Sequence, residues 1–84
     1  MAEKKIKLKY PIKLVDGKEL SELTVQVERL KTRDQMEAQQ GDASQAEVEI
    51  RLLAKVFKLN PEDLMEIDLR DYSKLQEVLR GFLS

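Results

Sequence analysis

The chain has 84 residues, 42% of them hydrophobic and 37% charged, a composition that fits one small globular domain spanning 1–84 rather than a disordered segment. It contains no cysteine and no histidine. That excludes disulfides, thiolate nucleophiles and zinc–thiolate sites, and it removes the commonest general base. The net charge of −1 hides an asymmetry: residues 1–18 carry six lysines (4, 5, 7, 9, 13 and 18) against Glu3 and Asp16, while the remainder carries nine basic and fourteen acidic residues.

No apolar signal-peptide core follows Met1-Ala2-Glu3-Lys4-Lys5, and apolar runs such as Leu52-Leu53-Ala54 are too short to span a membrane, so a cytosolic protein is expected. From Lys5 to Tyr10 polar and apolar residues alternate, which places Ile6, Leu8 and Tyr10 on one face of a strand. Pro11 limits regular pairing, Ile12 and Leu14 resume the alternation, and Asp16-Gly17 is a hairpin turn signal. Leu23, Val25 and Val27 alternate again, so residues 5–28 read as an antiparallel hairpin with one apolar face and a lysine-rich solvent face. A lone hairpin is marginal in water, and residues 32–83 supply the helices that cover it.

Thr32 opens a short polar helix, with Gln35 as its capping-box partner and Gly41 as its stop. Ser44 and Glu47 form a second capping box. Behind it Ala46, Ile50, Leu53, Ala54 and Phe57 make one helical stripe, and Val48, Leu52 and Val56 make another. Asn60-Pro61-Glu62-Asp63 is a third helix start, and Asp68 with Asp71 reads as a fourth. The last helix, 69–83, carries Tyr72, Leu75, Val78, Leu79, Phe82 and Leu83 on one side and Arg70, Lys74 and Glu77 on the other. The expected fold is α+β: an N-terminal hairpin packed on three to four helices.

Little in this inventory supports catalysis. The paired acids Glu62-Asp63 and Asp68/Asp71 sit where helix N-termini want acids, and there is no calcium-loop spacing and no glycine-rich phosphate loop. Tyr10 and Tyr72 fall in apolar stripes and read as core. Catalytic, cofactor-binding and metal-binding residues are therefore all expected to be none, and the chain is read as a binding protein rather than an enzyme. The wide apolar arc at Val48, Leu52 and Val56, and the terminal pair Phe82 and Leu83, are the candidate partner-binding residues.

The order of these features resembles the small tail assembly chaperones of contractile-tailed bacteriophages and prophages, of the E and Mu types. The resemblance runs from Ile6 to Leu83. It is carried by Asp16-Gly17, Leu23-Thr24, Leu30 with Thr32 and Asp34, Leu53-Ala54, Leu59-Asn60-Pro61-Glu62-Asp63-Leu64, Asp71-Tyr72, Leu75 and Phe82-Leu83. The resemblance implies a cytoplasmic protein of the host bacterium that binds the tape measure protein, keeps it soluble while the tail tube assembles, and is absent from the mature virion. In many phages of the family a longer frameshifted form is also made; the tail tube protein is a further candidate partner, and self-association is left open. No catalytic residue is carried over. The lysine-rich first strand and the Gln35–Gln40 stretch depart from the family pattern. The alternative reading is a small nucleic-acid-binding regulator using the lysine-rich hairpin, which predicts binding that weakens steeply with salt. No helix carries a basic face suited to a groove, so a nucleic-acid partner is the lesser expectation.

Overall fold

A computed structural model describes residues 4–84. Met1, Ala2 and Glu3, the start of the segment that lacks a signal-peptide pattern, lie outside the described residues. Among the described residues the elements run β1 (Lys5–Lys13), β2 (Glu19–Thr24), α1 (Thr32–Ala38), α2 (Gln45–Phe57), α3 (Pro61–Met65) and α4 (Leu69–Leu83). An antiparallel hairpin packed on helices is the α+β class read from the alternation and capping signals.

The turn is built by Gly17, whose N–H donates to the Leu14 carbonyl (2.9 Å), and by Leu14, whose N–H donates to the Lys18 carbonyl (2.7 Å). Gly17 has φ +94°, a region where a Cβ is costly. The ladder is broken further back. Pairing steps from Lys7–Glu22 to Ile12–Leu20, five residues along β1 against two along β2. The break contains Pro11, which has no N–H to give to a ladder. Leu8 and Ile12 remain buried on the inner face, but the bulge turns Tyr10 outward to 39% exposure. The expectation that Tyr10 is a core residue is corrected accordingly.

β2 ends at Thr24 rather than at Glu28. Beyond it the Val25 amide donates to the Lys4 carbonyl (2.9 Å) and the Gln26 amide to the Val56 carbonyl (2.8 Å). From Gln26 on the chain leaves the hairpin, and the Gln26 amide ties it to the C-terminal end of α2.

The helix starts follow local chemistry. Ser44 Oγ accepts the Glu47 N–H and Glu47 Oε1 accepts the Ser44 N–H, each at 3.2 Å, the capping box read from sequence. At α1 the acceptor is Asp34, not Gln35: Asp34 Oδ2 takes the Lys31 N–H at 2.8 Å. The α2 helix stops at Lys58, left-handed at φ +54°, and the Leu59 amide closes back on the Ala54 carbonyl (3.0 Å). Asn60 and Pro61 then start α3. Leu23, Leu53, Val56, Leu64 and Leu75 are fully enclosed, so one core joins hairpin and helices. Ala46, placed on the core stripe of α2 by its spacing, is exposed in the first turn.

Candidate functional site

Of the paired acids, Asp63, Asp68 and Asp71 are committed to backbone amides. Asp68 caps α4, accepting the Arg70 N–H at 2.9 Å. Asp71, expected to share that role, is instead fully buried and reaches across to the hairpin. Its Oδ1 accepts the Lys9 N–H (3.0 Å) and its Oδ2 the Tyr10 N–H (2.9 Å), with Lys74 Nζ at 3.4 Å. These are two of the three amides inside the bulge, and an amide left without a partner is costly. Burial alone would raise the Asp71 carboxyl, but the two amides and Lys74 outweigh it and hold it below the usual carboxylate range. Asp63 acts in the same way on a smaller scale, accepting the Val15 N–H at 2.8 Å and the Asn60 N–H at 3.4 Å. The capping reading of Asp71 is thus replaced by a clasp between α4 and β1, and Asp63 is cap and clasp together. Among the described residues no group of three acidic, histidine or cysteine side chains could hold a metal ion, and no helix is long and apolar enough to cross a membrane.

The helix α1 is attached mainly by polar contacts. Arg51 Nη1 donates to the carbonyls of Ala38 and Gln40, both at 2.9 Å, and so satisfies the end of α1. Lys55 bonds Glu37 and lies 3.5 Å from Asp34. The Glu37 hydrogen bond, working against burial and helped by the charges of Glu37 and Asp34, raises the Lys55 ammonium above its ordinary value. Within α1, Ala38 is the buried side chain.

Exposed apolar side chains are spread over the surface (Tyr10, Val15, Met36, Met65, Leu69 and Leu83), and at the last turn of α4 one of them, Leu83, adjoins grooves with apolar floors. Along this helix Leu75, Val78 and Leu79 are buried, Phe82 is half-buried and Leu83 is 62% exposed. The stripe continues past the layer that covers it. On one side of this turn lies a depression of about 380 Å³ floored by Val25, Val27, Val78 and Phe82, with Gly81 in its wall and Lys4, Glu28 and Arg29 at its rim. On the other side lies a groove of about 540 Å³ between α1, α2 and α4, floored by Val48, Leu52, Leu79 and Leu83. Its rim is Gln35 of α1 and Gln39 just after it, with Gln45 and Glu49 from α2. Glu49 is held in place by the Tyr72 hydroxyl (2.7 Å) and the Gln76 amide (3.0 Å). Burial, followed by the bond to Glu49, pushes the Tyr72 hydroxyl well above its usual range.

The five residues singled out from sequence therefore divide. Phe82 and Leu83 form the ridge between the two grooves, and half-buried Val48 lies in the wider one. Leu52 shows only an edge there at 6% exposure, and Val56 has no exposed area at all. A side chain without exposed area has nothing to offer a partner in this conformation, so Val56 leaves the candidate surface. Spacing could not reveal this, because α1 and residues 25–28 both pack on the second stripe of α2. Sequence alternation puts Val25 and Val27 on a strand and gives no signal for Arg29, whereas the structure brings all three to the depression beside Phe82.

The family described as "Phage tail assembly chaperone proteins, E, or 41 or 14" matches residues 5–84, nearly the whole chain. No curated protein and no solved structure matches it.

Proposed function

The chain belongs to the phage tail assembly chaperone family, and on that premise we propose that it holds the tape measure protein, binding an amphipathic segment of it on the apolar surface around the last turn of α4. The observation that carries this reading is the Phe82–Leu83 ridge standing between two open grooves. Contiguous apolar surface with a polar rim is what an amphipathic helix needs to bury its own apolar face. The client is kept soluble because its apolar stripe is covered until tail tube subunits replace the chaperone. The role is one of holding, without catalysis or cofactor, in the cytoplasm of the host bacterium, and the protein is left out of the finished virion. The tail tube protein is a second contact, and self-association through the same surface is the state the client displaces.

The second reading, nucleic-acid binding, draws on one observation: Lys4, Lys5, Lys7 and Lys74 border a shallow depression of about 340 Å³. Glu77 borders it too, Lys74 is engaged by Asp71, and Lys5 lies 3.9 Å from Glu22. These acids dilute the field that a phosphate backbone would need.

Co-expression with the tape measure protein tests the proposal. Wild-type chain co-purifies with it. Phe82→Asp and Leu83→Asp lose at least about tenfold in affinity, since burying one such side chain contributes roughly 1.5–3 kcal/mol. Lys13→Glu on the hairpin is neutral. Circular dichroism of each variant shows that the fold is kept. Co-purification unaffected by both apolar changes refutes the surface.

A further inference from the structure

The two grooves beside Phe82 and Leu83 have different rims, and the difference specifies the partner. Taking the client-holding role above as given, we infer that the depression floored by Val25, Val27 and Phe82 seats an amphipathic helix whose apolar stripe is flanked by acidic residues.

Three observations converge on this. The first is charge. The depression is rimmed by Lys4 and Arg29, and it adjoins the shallower one bordered by Lys5, Lys7 and Lys74, the two sharing Lys4 and Val78. Among the described residues neither Lys4 nor Arg29 has an ion-pair partner within 4 Å, and Glu28 and Glu77 are the acids on these rims. Cations beside a half-buried apolar floor match a segment that carries carboxylates next to its apolar face. The second is contrast: the groove on the other side of Leu83 is rimmed by three glutamines and by Glu49, whose carboxylate is already bonded to Tyr72 and Gln76. A client lying across the ridge therefore meets cations on one flank and amides on the other.

The third is Gly81. It lies inside α4, two residues before the end of the helix, where glycine is a poor helix former. Its φ is not left-handed, so it is not acting as a helix-ending cap. A Cβ built on it would meet nothing within 4 Å, so the packing of this chain does not require glycine there. Gly81 is nevertheless a wall of the depression. A flat spot between Val78 and Phe82 lets a partner backbone come close to α4. The apolar floor and the missing side chain favour a helix over nucleic acid, whose phosphates would seek the cations alone.

The test uses two synthetic helical peptides with the same apolar stripe, one flanked by glutamates and one by lysines, together with the tape measure protein itself. Wild-type protein binds the glutamate-flanked peptide about tenfold more tightly than the lysine-flanked one at low salt. The doubly charge-reversed variant Lys4→Glu/Arg29→Glu inverts that preference. Gly81→Leu loses about tenfold for the preferred peptide while its melting temperature stays at or above that of wild type, because leucine is the better helix former. Equal binding of the two peptides, binding of neither, or full binding by Gly81→Leu overturns the inference. A charge-reversed variant that loses binding to a DNA or RNA oligonucleotide while peptide binding is unchanged overturns it in favour of nucleic acid. Tape measure binding that ignores all these changes refutes this seat but leaves the client standing, whereas no tape measure binding by wild type refutes the client itself.

Discussion

Replacing Asp71 by asparagine changes one atom and tests how the hairpin is held to the helices. In the native chain both carboxylate oxygens accept a backbone N–H from the bulge of β1, at 3.0 and 2.9 Å, with the side chain fully enclosed. Asparagine can keep one of these bonds through its carbonyl oxygen, but its NH₂ then faces the second amide, donor against donor. The cost is one hydrogen bond to a charged acceptor plus an amide left unpaired, together about 2–3 kcal/mol. Against a total stability of about 5–15 kcal/mol this is a large fraction, and it lowers the melting temperature by roughly 10 °C or more. The effect also has a pH signature. The folded Asp71 carboxyl lies below its usual value because the amides and Lys74 outweigh burial. Its contribution is therefore complete above about pH 4 and is lost as the pH falls below that. The gap between wild type and Asp71→Asn, read from the midpoint of urea unfolding at constant slope, narrows as the pH falls below about 4. A variant within about 0.5 kcal/mol of wild type at neutral pH, or a gap that does not narrow as the pH falls below about 4, refutes the clasp.

The remaining predictions concern α1 and Tyr72. Arg51→Ala frees the carbonyls of Ala38 and Gln40; amide exchange in α1 accelerates while that of α4 holds, and global stability falls by only about 1 kcal/mol. Lys55→Ala removes the contacts to Glu37 and Asp34, and because both are largely solvated its effect is below about 1 kcal/mol and fades in high salt. Tyr72, whose hydroxyl is pushed up by burial and by Glu49, stabilises the fold fully below its ordinary pKa of about 10. That contribution disappears as the pH rises beyond it, so alkaline unfolding of wild type is steeper than that of Tyr72→Phe in the tyrosinate absorbance range.

Sequence periodicity located the helices well and the hairpin face less well, and the reasons are local. Capping chemistry is short-range, so Ser44–Glu47 and Asn60–Pro61 were legible as helix starts and are found as such. Tyr10 and Asp71 were misread together because each depends on the other. The bulge at Pro11 breaks the alternation that placed Tyr10 inside, and the bulge in turn needs Asp71, sixty residues on, to satisfy its amides. No local pattern reports such a contact. The apolar surplus of α2 and α4 was legible as a quantity but not as a surface. Leu52 and Val56 look like Leu83 in a helical pattern, and only the path of residues 25–28 and the seating of α1 decide that the first two are covered. Gly81 has no left-handed φ and no neighbour within 4 Å of a Cβ built on it, neither of which a sequence pattern reports.

The central claim, that the last turn of α4 keeps the tape measure protein in solution, is tested most directly by the soluble fraction of that protein when it is co-expressed with wild-type chain or with Leu83→Asp. Leu83 is 62% exposed, so the change leaves the core untouched. Soluble tape measure protein with wild type and aggregated protein with Leu83→Asp, at equal chaperone levels and equal melting temperatures, is the predicted result. Equal solubility with both contradicts the claim.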